Sequence, residues 1–236
     1  MKHIDTTATA IRKIKSNAKQ IKLEQGITLS EALEIAAKQA GYENFHHATT
    51  CESNTQKNER AGSLGTLKLR YFEMENSVRF DVDDHDSLDL VTDELDDIVA
   101  EAGGGFGDMT TIPEEGIKLI ISACKTLTQR EPAFLDGYAH WVGALVSHYQ
   151  HQEAIKIGLP VLEAAFDLLQ SAPKKYKVSY YELPNRPFFR LAHNMVLAYY
   201  GVKNNADAKK LAQKMLKLWP NDNVGFRFLL KPLHAE

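Results

Sequence analysis

Apolar side chains recur at helical spacing along most of the chain. Over 8–23, Ile11, Ile14, Ala18, Ile21 and Leu23 return every three or four positions. Over 29–40, Leu29, Ala32, Leu33, Ala36 and Ala40 do the same. Gly26 is a natural C-cap between the two runs, Thr28 or Ser30 a natural N-cap, and Gly41 a stop. With Ser30 as the cap, Leu33 takes the third helical position, and no capping box is expected. The pattern predicts a helix-turn-helix-like hairpin over 1–47, ending near His47. Residues 48–65 are polar and rich in turn formers and read as a linker.

The period then changes from helical to two. Leu67, Leu69 and Tyr71 alternate with Lys68 and Arg70, and Val78, Phe80 and Val82 alternate with Arg79 and Asp81. This predicts a β-hairpin with its loop over 73–77. A lone hairpin is barely stable in water, so it must pack on something or pair with another edge. From 86 onward the pattern is helical again, with Leu88, Val91, Leu95, Ile98 and Val99 on one face and acids on the other. Further helices are predicted over 114–129, 133–150, 152–171, 187–201 and 204–218, broken around Pro132, 171–177, 182–187 and 219–222. Pro160 falls inside one of them and should kink or split it. The fold class expected is mainly α: a helical-repeat array over 66–236 with one β-hairpin, and an N-terminal helical hairpin.

Composition narrows the function classes. The 236 residues are 44% hydrophobic and 25% charged, as in an ordinary globular protein. Two cysteines, Cys51 and Cys124, exclude a disulfide scaffold and a multi-cysteine zinc module. No apolar run approaches the ~20 residues that span a bilayer, and the N-terminus has no apolar signal core. A cytoplasmic protein with no membrane partner is the expectation. The net charge is −3 but unevenly spread. Residues 1–22 carry six basic side chains against Asp5, residues 81–115 carry thirteen acids and no Lys or Arg, and residues 203–231 carry seven Lys/Arg against Asp207 and Asp222.

Two stretches resemble known modules. Ala198, Ala208, Leu216 and Pro220 are spaced as in a tetratricopeptide repeat. Over about 186–230, Arg186–Arg190 and Trp219–Arg227 resemble the closing repeat of bacterial proteins with tetratricopeptide-like repeats. Trp141, Leu145, Tyr149, Ala154, Leu162 and Phe166 suggest an earlier unit. Such repeats bind many unrelated partners, so the resemblance implies a fold and a binding role rather than a chemistry. Near the N-terminus, Ile14, Lys15, Ala18, Lys19, Gly26, Ile27, Ser30–Leu33, Ile35, Ala36 and Gly41–Phe45 resemble a short helical module that opens various bacterial and plasmid-borne proteins, some glyoxalase-related. Phe45 stands where that module carries Trp, and the module brings no catalytic set.

Few residues point to chemistry. Asp81–Asp86 is acid-rich, but its sixth residue is Asp86 rather than Gly and its twelfth is Thr92 rather than Glu, so it is no EF-hand loop. Gly103–Gly107 lacks the Lys and Ser/Thr of a phosphate loop and sits among acids, which favours a hinge or a tight helix connection. His148 and His151, at i and i+3, could present two imidazoles together, with no third ligand apparent. His140 and His193 read as hydrogen-bonded core or groove residues. Cys124 reads as a small buried hydrophobe, and Cys51 as a linker thiol that reacts if exposed. No catalytic residue, metal or cofactor is expected.

Two surfaces remain. Aromatic and basic residues mix over 174–190, and Tyr176, Tyr180, Arg186 and Arg190 are the candidate partner-binding set, with Tyr180, Arg186 and Arg190 expected to be exposed and Phe188, Phe189 and Tyr181 the alternative helix-start packing. On the N-terminal helix, Arg12, Lys15, Lys19 and Lys22 form one basic face, as on a phosphate-tracking helix or on any solvated face. That face could instead meet the acidic 81–115 segment. The leading expectation is therefore a non-catalytic scaffold, adaptor or regulator that takes a protein or peptide in a helical-repeat groove. The alternative is a nucleic-acid-associated regulator, antitoxin-like or plasmid-accessory, using the basic helix. The hairpin offers a cap for the stack or a dimer edge, so a homo-oligomer is a further expectation.

Overall fold

Short polar side chains start several of the helices by accepting a backbone N–H that lacks a carbonyl partner. The structure, a computed structural model, describes residues 4, 6–51, 64–103 and 112–230. It is mainly helical with a small sheet, and it divides into two compact units, Met1–Gly62 and Ser63–Glu236.

In the first unit, α1 (Ala8–Gln25) starts at Thr7, whose hydroxyl accepts from the Ala10 N–H at 3.3 Å. It ends at Gly26, where φ of 65° would strain any side chain. Thr28 then caps α2 (Leu29–Gln39). The cap is Thr28 rather than Ser30, and it makes the capping box that was not expected: the Thr28 hydroxyl accepts from the Glu31 N–H at 3.3 Å, and the Glu31 carboxylate accepts from the Thr28 N–H at 2.9 Å. Ile11, Ile14, Ala18 and Ile21 of α1 form one buried cluster with Ala32, Ala36 and Ala37 of α2. A further helical stretch, α3 (45–51), opens at Asn44, which accepts from the His47 N–H at 2.6 Å. Residues 48–51 of the expected linker are therefore helical. Ala48 and Cys51 are helical and buried in this cluster, so Cys51 is no exposed linker thiol. Residues 52–63 lie outside the described residues.

The second unit opens with the hairpin. Strands β1 (Lys68–Phe72) and β2 (Ser77–Asp81) pair antiparallel, with Leu69 opposite Phe80 and Tyr71 opposite Val78. The hairpin does find another edge. A two-residue strand, β3 (Lys177–Val178), pairs parallel to β2, giving the order β1-β2-β3. Two residues carry no period, so the pattern could not reveal it. Asn185 fixes the join. Fully buried, its amide nitrogen donates to the Val78 carbonyl at 2.9 Å and to the Ser179 carbonyl at 3.0 Å, and its oxygen accepts from the Phe80 N–H at 3.0 Å.

The helices follow as α4 (His85–Glu101), α5 (Glu114–Arg130), α6 (Leu135–Ser147), α7 (His151–Ser171), α8 (Arg186–Gly201) and α9 (Asn205–Leu218). The glycine stretch after α4 lies mostly outside the described residues, which resume at 112. α4 packs on α5, α5 on α6, α6 on both α7 and α8, and α8 on α7 and α9. The pairs α6–α7 and α8–α9 are joined by the same three-residue turn. Tyr149 (φ 58°) and Lys203 (φ 60°) take the left-handed conformation. The N–H groups of Gln150 and Asn204 then return to the carbonyls of Leu145 at 2.8 Å and Tyr199 at 2.9 Å. Ala154 and Ala208, at matching places in the second helices, are both fully buried.

The two pairs begin far apart in the chain. α6 starts at Leu135 and α8 at Arg186, well beyond the period of about 34 residues of tetratricopeptide arrays. α7 alone has 21 residues, and 172–185, which carries β3, intervenes before α8. Pro160 does not split α7 into two helices: α7 runs unbroken from His151 to Ser171. Pro160 is exposed, so the Lys156 carbonyl that loses its N–H partner is on the side water can reach. Two residues earlier, Gly158 sits where a Cβ would lie 2.4 Å from the Met195 sulfur and 3.0 Å from Val142, so α7 crosses α6 and α8 closely.

Candidate functional site

The aromatic and basic residues over 174–190 do not form one surface. Arg190 is exposed on α8 and reaches across to α6, where it donates to the Asp136 carboxylate at 2.5 Å. His140, one turn along α6, stands 3.2 Å from the same carboxylate oxygen. Arg186 and Tyr180 are half-buried rather than exposed, because they engage each other. The Arg186 Nε donates to the Tyr180 carbonyl at 3.3 Å, its guanidinium lies 5.4 Å from the Tyr180 ring, and that ring meets Phe189 edge-on at 5.6 Å. Together they lock the start of α8. Phe188 and Phe189 are fully buried, as the packing alternative had it, but Tyr181 is 62% exposed. Tyr176 lies apart, against Tyr71 of β1 at 4.7 Å and hydrogen-bonded to Glu73.

What lies beside Tyr176 is a cleft. A space of about 310 Å³ opens between β3 and the C-terminal ends of α7 and α9, lined by Leu169, Tyr176, Val178, Leu218 and Trp219 among others. A second, of about 470 Å³, adjoins it over the hairpin turn and takes in Glu75, Asn76, Lys175 and Ser179. Lys177 and Trp219 line both. Trp219 is half-buried and held from two sides: its Nε1 donates to Asn223 Oδ1 at 2.9 Å, and its ring stands edge-on to Tyr181 at 5.4 Å. The carboxylates nearby are engaged, Glu73 with Lys175 at 2.7 Å and Glu75 with Arg79 at 3.2 Å. Lys177 and Lys217 are exposed and make no ion pair among the described residues. The result is an apolar, aromatic floor with a cationic rim. The sequence signal for Trp219 and Lys217 was the basic last stretch with its single Trp, and nothing there placed it against β3.

Comparison with known proteins adds no relative. No protein family matches the chain, and no curated protein or solved structure is significantly similar to it.

The remaining candidates resolve one by one. Arg12, Lys15, Lys19 and Lys22 are all exposed on α1 and unpaired among the described residues. In the acidic segment, Asp84 caps α4 by accepting from the Ser87 N–H at 3.0 Å, Asp83 pairs with Lys68, and Asp81 faces His85 at 3.4 Å. Among the described residues no three His, Cys, Asp or Glu side chains come together as a metal-ligand set. No helix among them is long and apolar enough to cross a membrane. His148 and His151 do not share a helix: one ends α6 and the other begins α7. His140 is half-buried, with its Nδ1 3.0 Å from the Asp136 carbonyl. His193 packs against Phe226 at 5.9 Å, and burial lowers its pKa. Cys124 is buried among apolar side chains, which pushes its thiol up to about 12, so it is protonated and unreactive in the folded chain.

Proposed function

We propose that the chain is a non-catalytic protein-binding module, a scaffold, adaptor or regulator, whose docking site is the Trp219 cleft and whose partner presents an acidic segment carrying one apolar or aromatic anchor. The observation that carries this reading is the wall shared by the two adjoining clefts. Trp219 and Lys177 together offer an aromatic face for burial and, for orientation, a cation with no ion-pair partner among the described residues. Aromatic residues dominate binding energy at interfaces, while charge at the rim steers the encounter. The stacked pairs α6–α7 and α8–α9, with their common turn, support reading the array as tetratricopeptide-like. On that reading the inserted 172–185 stretch supplies the site, in place of Tyr180, Arg186 and Arg190, which are occupied within the fold.

The test uses the two tryptophans, Trp141 and Trp219. Trp141→Phe leaves Trp219 as the sole indole reporter. Titration with a set of acidic peptides, each carrying one Leu or Phe, should shift Trp219 emission, and matched basic peptides should not. Trp219→Ala in the parent chain should weaken a labelled peptide by roughly thirty-fold or more, the scale of an interface hot spot. Lys177→Ala and Lys217→Ala should each weaken it a few-fold and flatten its salt dependence. Peptide binding that survives Trp219→Ala would place the docking site elsewhere.

A further inference from the structure

The helix α1 carries a charge pattern that no ion pair among the described residues answers. Arg12, Lys15, Lys19 and Lys22 follow at spacings of three, four and three, so each is a helix-surface neighbour of the next. All four are exposed, and together they rise roughly 15 Å along one side of α1. Like charges at these spacings destabilise a helix, and an ordinary solvated face relieves them with interleaved carboxylates. Here the helix has no acid before Glu24, and Glu24 is engaged by the Gln20 amide at 2.9 Å. The stripe is thus a cost to the helix that a bound anion relieves.

We propose that this stripe binds the phosphate backbone of duplex nucleic acid, independently of base sequence. A row of cations along a rigid rod matches a row of phosphates, and binding releases the counterions condensed on the duplex. The base edges are not read, since lysine side chains on this face offer no bidentate amide or guanidinium pair to them apart from Arg12. A lipid surface fits less well. A helix lying on a membrane buries its apolar face in the acyl boundary, and the apolar face of α1 is already spent: Ile11, Ile14 and Ile21 are buried in the cluster shared with α2. A protein partner fits less well too, because Leu23, exposed beside Lys22, gives too little apolar area to anchor an interface. This site is independent of the Trp219 cleft, and the two stand or fall separately.

The experiment is fluorescence anisotropy of a labelled duplex DNA of random sequence, titrated with the full chain over a series of salt concentrations. Four phosphate contacts predict a slope of log affinity against log salt of about −3 to −4. The double variant Lys15→Gln/Lys19→Gln should reduce that slope by about 2. Lys13→Gln, on the other side of α1, should leave it unchanged. All these side chains are exposed, so the variants should keep the helical circular-dichroism signal of the parent, which confirms that the loss is of contacts. The proposal is overturned by absence of DNA binding at low salt, by a slope that Lys15→Gln/Lys19→Gln does not move, or by binding to phosphatidylserine vesicles in place of DNA.

Discussion

Asn185 accepts a hydrogen bond at 3.0 Å from the backbone N–H of Phe80, a residue 105 positions earlier in the chain. The same side chain donates to Val78 and Ser179, so one amide closes the sheet against the segment that leads into α8. Its position at 0% exposure means that any partner it leaves behind stays dry.

Asn185→Ala should therefore be among the most destabilising single substitutions. Three hydrogen bonds go, and the buried groups at Phe80, Val78 and Ser179 lose a partner, which sets a loss of about 3 kcal/mol. Chemical denaturation followed by circular dichroism measures it. A loss below about 1 kcal/mol would mean that water replaces the amide and that the sheet does not depend on it.

The two matching turns make a paired prediction. Tyr149 and Lys203 hold positive φ without being glycine, and Tyr149 is 86% exposed, so its side chain adds little packing to offset the strain. Tyr149→Gly and Lys203→Gly should each stabilise by about 1 kcal/mol. The two gains should add, since the turns belong to separate helix pairs. Thermal melts of the single and double variants decide it.

Pro160 makes a prediction of the same sign. In an exposed position of an unbroken helix, Pro160→Ala restores an N–H to the Lys156 carbonyl and removes a ring that crowds it. A gain of about 1–3 kcal/mol follows from helix propensity. A loss instead would show that the proline sets a bend on which the packing of α7 depends.

The cluster of Asp136, His140 and Arg190 gives stability a pH window. Burial alone would raise the Asp136 pKa and lower that of His140, but each is outweighed. The His140 imidazole and the Arg190 guanidinium hold Asp136 below the usual 3.8, and Asp136 holds His140 above the usual 6.5. His140 stabilises fully below 6.5, and that contribution is lost as pH rises through its folded pKa. Asp136 stabilises above 3.8, and its contribution is lost as pH falls through its lower folded value. The stability difference between the parent and His140→Gln should therefore peak between pH 3.8 and 6.5 and shrink on the alkaline side. Denaturant midpoints across pH measure it, and a flat difference would sink the pairing.

Much of this fold was legible in the sequence because its helices have chemical ends. Gly26, Pro132 and Pro220 stop the periodic runs in plain view. The hairpin was legible from strict alternation at Leu69, Tyr71, Val78 and Phe80. What escaped were relationships over distance. Lys177 and Val178 become a strand only because Asn76 and Ser77 offer an edge, and the Lys177 N–H reaches the Asn76 carbonyl at 2.9 Å. Thr28 rather than Ser30 caps α2 because Glu31 can reach back to it. The aromatic-basic cluster over 174–190 was visible as composition, but Arg186 and Arg190 are spent on Tyr180 and Asp136, partners that spacing alone could not assign. The Trp219 cleft needs three chain segments to converge, and no local pattern announces that.

The two cysteines carry a last consequence. One thiol, Cys51, is buried in the N-terminal unit and the other, Cys124, in the C-terminal unit. Neither can be alkylated until its surroundings open. Each unit thus contains its own stopwatch: under an excess of alkylating reagent, the labelling rate at Cys51 times the opening of one unit and the rate at Cys124 that of the other. Two equal rates would mean that the units breathe as one, and two different rates would rank them without any added probe.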